Sequence, residues 1–522
     1  MNAKPCSATR TSSSARALRY ASAACTVVLS GCVVGPKYSK PDAPAAPSFK
    51  EAAPEAYGAQ QTGTWQPASP QDAALKGRWW EIFDDEELNG LEAQLNINNQ
   101  NIAQYFQNFM AARAQVREAR AQYFPVATVN PAYTRSHVPG SAVTAGSVGV
   151  PSGTSSSAST YSNYSLPLDV SWEPDLWGRI RNTVRGYQYA AQVSAADLEN
   201  ERLTEQAFLA EYYFELRGQD ALQDLYNRTI DADRQSLELT RALLETGIDN
   251  AEDVAQAEVT LKNAEATATG LAANRAVYEH AIATLIGKPA SSFSMPVKFL
   301  ATPVPPVPVG IPSQLLQRRP DIAAAERTMA QANANIGVGE AAYYPTLSLT
   351  ASAGFESNSI STLLSAPARF WSIGASAAET IFDAGLRKAA VDQYTATYNA
   401  DVASYEQTVL TAFQQVEDYI ATVRVLSQQI ARQKEAVDAA QRYLDIATSR
   451  YQTGLDPYLD VMSAQTTLLS DQQTEVTLSV SELTAAVELI QALGGGWDVT
   501  QMPAASTITS AKAVHQAGDA PQ

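Results

Sequence analysis

Thr246-Gly247-Ile248-Asp249 and, 207 positions later, Thr453-Gly454-Leu455-Asp456 read as one turn written twice. At the same offset Asp253-Val254 and Ala257 correspond to Asp460-Val461 and Ala464. Upstream of the second turn, Val402, Val409, Val416, Val423, Ile430, Val437, Leu444 and Tyr451 recur every seven residues, and Leu209, Leu216, Ile230, Leu237 and Leu244 occupy the matching places of the first copy. A sustained seven-residue apolar period marks the seam of a left-handed coiled coil. A helix from Gly385 to Thr453 has 69 residues and extends about 100 Å, too long for the core helix of a compact enzyme. The chain is therefore expected to hold two copies of one unit, each ending in a long helical hairpin.

Proline placement delimits the rest, because proline breaks the helical hydrogen-bond ladder. None occurs from Gln71 to Phe124 or across the 114 residues from Asp175 to Lys288, and only Pro457 lies between Ala368 and Met502. Tyr123-Phe124-Pro125 matches Tyr343-Tyr344-Pro345 at offset 220, and each ends a helix and opens an alternating run. Leu347, Leu349, Ala351, Ala353 and Phe355 share one face against Ser348, Thr350, Ser352 and Gly354. Tyr164, Leu166, Leu168, Val170 and Trp172 do the same, as do Trp371, Ile373, Ala375 and Ala377, with Val126 to Tyr133 the weakest case. Period-2 runs of about ten residues have the length of tilted transmembrane strands. The change of offset reflects a longer loop in the first copy, around residues 135–160. Four strands cannot close a barrel, and an open sheet edge is not tolerated in lipid, so a spanning chain must oligomerise.

The 522 residues carry 54 acids against 37 Lys and Arg, a net charge of -17, which argues against nucleic acid as a partner. Lys4, Arg10, Arg16 and Arg19 precede a short apolar run, Ala21 to Leu29, and then Leu29-Ser30-Gly31-Cys32. This resembles a bacterial lipobox, in which the chain is cut before Cys32 and that cysteine is acylated; an ordinary signal peptide cut elsewhere is the alternative. With the leader removed, 33 bases face 54 acids, 33 - 54 = -21, and no cysteine other than Cys32 is left for a disulfide. The expected organisation is a lipoprotein signal peptide (1–31), an acylated linker (32–78), a first repeat (79–288) with strands near 126–134 and 164–173, and an inter-repeat linker (289–312). A second repeat (313–496) with strands near 346–356 and 370–379 follows, then a tail (497–522) that looks loose from residue 503.

Trp79-Trp80-Glu81-Ile82-Phe83 with Leu88, Asp175-Leu176-Trp177-Gly178-Arg179, Arg318-Arg319-Pro320-Asp321-Ile322 with Glu326, Ala334-Asn335-Ile336-Gly337, Ile381-Phe382-Asp383-Ala384-Gly385 and Tyr451-x-x-Gly454 occur in that order. Together, inside a duplicated chain, they resemble the TolC-type outer membrane factor family in its lipoprotein branch, NodT/OprM-like, over nearly all of residues 32–500. The resemblance implies a mixed α and β membrane protein. A homotrimer would form a 12-stranded outer-membrane β-barrel continued by a 12-helix periplasmic α-barrel, with residues 289–320 and both mature termini in an equatorial belt. It further implies the exit duct of a tripartite efflux pump in a Gram-negative outer membrane, partnered by a periplasmic adaptor and an RND-type inner-membrane transporter, with no cofactor beyond the lipid on Cys32.

No catalytic constellation is legible. His137 falls in an expected loop, His280 on a helix and His515 in the tail, none with a partner at useful spacing, and the methionines are scattered. The best functional candidates lie at the hairpin tips. Gly247 and Gly454 suit left-handed helix ends, Asp249 and Asp456 suit caps of the next helices, Glu252 completes a capping box with Asp249, and Pro457 suits a first helical position. Asp253 and Asp460 are explained by the helix macrodipole alone. The other reading is a gate, which the resemblance implies for Asp460 before Asp253, since Asp460 matches the family's aperture aspartate, while the family's second acid is Ser463 here. The gate reading takes Asp460, Asp456, Tyr451 and Asp253 as the periplasmic aperture, and Thr246, Gly247, Asp249, Thr453 and Gly454 as adaptor contacts. A secretion channel of the same shape and a lipid-anchored coiled-coil tether without a channel remain the alternatives.

Overall fold

The computed structural model describes residues 33–41, 49–51, 77–138, 159–247, 250–299, 304, 305, 307 and 316–509. The first half runs α1 (Glu86–Asn98), α2 (Gln100–Ala121), β1 (Val126–Val129), β2 (Ala132–Val138), β3 (Ser159–Trp172), α3 (Arg179–Glu245) and α4 (Ala251–Leu285). The second runs α5 (Pro320–Ala341), β4 (Thr346–Ser357), β5 (Arg369–Ala378), α6 (Leu386–Gln452) and α7 (Tyr458–Ala492), followed by the short α8 (Ala505–Thr509). Both long helices α3 and α6 have 67 residues and both return helices α4 and α7 have 35. At 1.5 Å per residue the long ones reach about 100 Å. None of the described helices is long and apolar enough to cross a membrane.

The strands form one antiparallel sheet in the order β1–β3–β4–β5, with β2 also on β3. The first expected strand is two, β1 and β2, both paired with β3 and separated by Asn130-Pro131, because proline has no N–H to offer the ladder. His137 lies on β2, Nδ1 2.7 Å from Thr160 Oγ1, and not in a loop. Register aligns the apolar parity of β1, β3, β4 and β5. Val129 faces Leu168, Leu168 faces Ala353, and Ala353 faces Trp371. One sheet surface is thus apolar from Trp172 up to Tyr164 of β3 and turns polar beyond it, where Arg135 faces Ser162 and His137 faces Thr160, and the opposite surface carries the Ser352–Asp169 hydrogen bond of 2.6 Å. Gly354 is required by close approach, since a Cβ there would stand 2.2 Å from the Leu166 carbonyl oxygen. Below the sheet, Trp177 Nε1 donates to the Pro345 carbonyl at 2.8 Å and its ring stacks on Tyr344 at 4.9 Å. Such amphipathic rings suit a membrane–water boundary.

Each long helix starts at a left-handed glycine, Gly178 (φ 85) or Gly385 (φ 93). A preceding aspartate takes over the free amides: Asp175 accepts from Ile180 N and Arg181 N, and Asp383 from Gly385 N and Arg387 N. The main core lies at the equator, where Trp79, Trp80, Phe83, Leu88 and Leu95 pack with Tyr213 and Phe214 of α3 and Val416 and Ile420 of α6. Full burial of each such side chain contributes about 1.5–3 kcal/mol. A buried ionic girdle ties the inter-repeat linker to this core. Arg217 pairs with Asp220 (2.9 Å) and Glu87 (2.7 Å) and donates to the Pro296 carbonyl, and Arg275 pairs with Asp220 (2.6 Å) and donates to the Met295 carbonyl.

The expected loose tail is not loose between residues 503 and 509. Ile508 is buried between Val116 of α2 and Ala191 of α3, and Arg113 donates to the carbonyls of Ile508 and Thr507. At the other end Val34, Pro36 and Tyr38 strap α3 to α5. Asn182 donates to Val34 O, Asn333 to Pro36 O, and the Tyr38 hydroxyl to Glu326 Oε1 at 2.6 Å.

Candidate functional site

Both hairpins turn where the sequence repeats. Gly247 and Gly454 sit at φ 73 and 74, the left-handed conformation glycine adopts without cost. Gly454 N donates to Tyr451 O and Leu455 N to Arg450 O, both at 2.9 Å, closing the end of α6. The tip threonines quench further carbonyls, Thr246 Oγ1 bonding Leu243 O and Thr453 Oγ1 bonding Arg450 O. Asp249 and Cys32 lie outside the described residues.

The expected caps differ. α4 is capped by Asn250, whose Oδ1 accepts from Glu252 N (2.8 Å) and Asp253 N (3.0 Å), while the expected box partner Asp249 lies outside the described residues. Asn250 also donates to the Asp253 carboxylate at 2.8 Å. At α7 the cap position is Pro457 itself, with no side-chain cap, and Tyr458 is the first helical residue. Asp456 instead turns back to Arg450, receiving Nε at 2.5 Å and Nη2 at 2.8 Å. That fork holds the Asp456 carboxyl below its ordinary range.

Tyr451 is buried, and its hydroxyl meets Thr240 Oγ1 of α3 at 3.3 Å. Its ring lies 5.4 Å from that of Tyr458. Tyr458 is pushed up to about 12, first by burial and then by the charges of Asp233 and Asp253. Asp460 is half-buried on the first turn of α7, and its charge reaches Arg450. Two groups therefore form at the tip. Tyr451, Tyr458 and Asp253 gather against α3, while Asp456 and Asp460 gather around Arg450. Sequence reasoning missed Arg450, Asn250, Thr240, Asp233 and Tyr458. Asn250 was available as a strong cap residue just before Ala-Glu-Asp, whereas the α3 partners are set only by tertiary packing. The described residues contain no group of three or more His, Cys, Asp and Glu placed to hold a metal.

The matches to known proteins follow this architecture. Residues 91–288 and 311–495 match the family model described as outer membrane efflux protein, one stretch for each half of the duplicated chain. The chain belongs to the outer membrane efflux protein family. It is 32% identical over 483 residues to the probable efflux pump outer membrane protein SepC of Pseudomonas putida, covering 92% of this chain and 97% of that one. It is 33% identical over 476 residues to the antibiotic efflux pump outer membrane protein ArpC of Pseudomonas putida, covering 90% and 94%. Among solved structures, the outer-membrane channel OprN superposes with a TM-score of 0.79 at 28% identity, covering 89% of this chain and all of that one. The chain is accordingly an outer-membrane efflux protein reaching into the periplasm.

Proposed function

We propose that three copies of the chain close into a single duct, and that this duct is the exit conduit of a tripartite pump. The observation that carries the reading is the sheet. Its apolar parity is aligned across β1, β3, β4 and β5, and its outer strands β1 and β5 each have a neighbour on one side only. Four staves per copy, with β1 and β2 collinear along β3, give twelve in a trimer and leave no edge in lipid. Ile381 and Phe382, just past β5, are 95% and 85% exposed, and a neighbouring copy would cover them. The paired helices beneath would supply a twelve-helix tunnel. Cys32 would carry the lipid, since Val33 packs on Gly178 directly under the sheet.

The duct needs no bond-making residues. Its work is a wet, closed path with a controlled end. Asp460, Asp456, Tyr451 and Asp253 form the aperture in this reading, and Thr246, Gly247, Asp249, Thr453 and Gly454 meet a periplasmic adaptor that couples the duct to an RND-type transporter. The relatives named for antibiotic or toluene export support small toxic organic compounds as the cargo. Light scattering of the protein in mild detergent, with conductance in planar bilayers, tests the assembly: a trimer that passes ions is expected, and a monomer that passes none overturns it. Asp460→Ala should raise conductance and weaken cation preference; unchanged values remove the gate assignment. Drug susceptibility against secreted-protein levels in a deletion strain separates efflux from secretion.

A further inference from the structure

The two hairpins have diverged most tellingly where they face each other. On α3, Tyr226, Asp233 and Thr240 recur at seven-residue spacing, all buried, with Ser236 between them. At offset 207, positions 440 and 447 of α6 are Ala440 and Ala447. Conversely the second hairpin has Tyr451 and Tyr458 where the first has Leu244 and Ala251. One copy carries polar groups on this face, and the other carries the hydroxyl and side-chain amides that reach them. Tyr451 bonds Thr240, Gln465 Nε2 donates to Ser236 Oγ at 3.1 Å, and Gln473 bonds the Tyr226 hydroxyl. The seam between α3 and the α6–α7 hairpin is thus a polar ladder within an otherwise apolar cluster.

Asp233 is the exception on that ladder. It is 3% exposed, and its Oδ2 has no hydrogen-bond partner, as is true of Gln465 Oε1. An ionised carboxylate only accepts, whereas a protonated one can donate. We propose that Asp233 and Tyr458 are positioning residues of the aperture: a protonated Asp233 lets the α6–α7 hairpin seat on α3, and its ionisation unseats that hairpin, so the tip loosens as pH rises. The inference rests on the aperture reading above.

The titratable groups about Asp233 are Tyr458 of α7, Asp253 of α4, whose charge reaches the same hydroxyl, and Tyr451 of α6 at Thr240. On α3 itself, Arg234 is engaged by Asp231 and by Glu265 of α4. No cation is among the causes that set the Asp233 carboxyl, which burial pushes up from 3.8 to about 6. The sign follows from linkage. The seated state holds its proton between those two values, so the seated-to-unseated ratio is highest below 3.8 and falls as pH rises to 6, by about a hundredfold if the unseated carboxyl titrates normally.

Amide exchange of residues 458–468 in the full-length protein in detergent, corrected for intrinsic rate, reads the seating directly. Protection should be greater at about pH 5 than at about pH 7.5, and Asp233→Asn should hold it at the high value at both. Asp460→Asn should keep the pH dependence, and Tyr458→Phe, which keeps the ring but not the hydroxyl, should shift its midpoint. A wild-type tip with no pH dependence overturns the proposal. So does an Asp233→Asn protein that titrates as the wild type does, or a dependence abolished by Asp460→Asn. A midpoint untouched in Tyr458→Phe removes the tyrosine from it. Failure of the duct reading is seen separately, as absence of conductance at every pH.

Discussion

Replacing Arg217 by methionine tests the equatorial girdle. The guanidinium is 2% exposed, bonds Asp220, Glu87 and the Pro296 carbonyl, and lies 5.0 Å above the Tyr213 ring. Methionine fills much of the same volume but leaves Asp220, itself 1% exposed, short of one cation. Removing one partner of a buried pair costs about 3–5 kcal/mol. The lower end applies, because Asp220 keeps Arg275 Nε at 2.6 Å and the Lys298 amide at 3.2 Å, while Glu87 is 27% exposed and can rehydrate. A loss of about 3 kcal/mol corresponds to about a hundredfold faster unfolding if the girdle is broken in the transition state. The assay is the decay of helical circular dichroism of the detergent-extracted protein at fixed temperature, where rate and not equilibrium defines stability. Arg217→Lys, which keeps a cation beside Asp220, should lose less than Arg217→Met. A methionine variant within threefold of wild type, or a lysine variant worse than the methionine one, refutes the reasoning.

Glu92 is fully buried with neither carboxylate oxygen bonded, and burial raises its carboxyl well above 4.5. Its penalty is absent below 4.5 and grows by about 1.4 kcal/mol per pH unit above it, so Glu92→Gln should flatten the loss of thermal stability with rising pH; an unchanged slope counts against this. Glu211, pushed up to about 7 by burial and then by Glu488 and Glu215, acts in the same direction. Gly354→Val should abolish β3–β4 pairing and with it the heat-modifiable oligomer on gels, whereas Gly374→Ala, with only the Thr350 side chain within 3.2 Å, should retain it. Gly454→Ala should destabilise the tip by about 1 kcal/mol, seen as faster amide exchange around Thr453 with the equatorial core unaffected. Arg113→Ala should release the C-terminal segment to limited proteolysis without dissociating the oligomer.

Much of this architecture was legible because it is periodic. The seven-residue seam reports itself in Val409, Val416 and Val423, all buried. The alternation in residues 347–355 fixes a strand face regardless of its neighbours. The details that escaped are those with no period. Pro131 divides a strand that hydropathy alone would run through. Asn250 takes the α4 cap, one position beyond the residue that the repeat alone put forward. Ile508 reads as tail composition until the groove between Val116 and Ala191 exists to receive it. Arg217 on a helix resembles any solvated arginine until the linker folds over it. Of the candidate aperture, the turn glycines and Tyr451 were readable, while Asp233 and Thr240 were not, since their meaning depends on which helix lies opposite.

The matched spans of 67 and 35 residues in both halves carry a genetic consequence. Dropping a single codon from α3 would rotate everything beyond it by about 100° and retract one tip by about 1.5 Å, leaving a ragged rim. Lengthening or shortening the shaft in evolution therefore calls for whole heptads, changed in concert in all four helices.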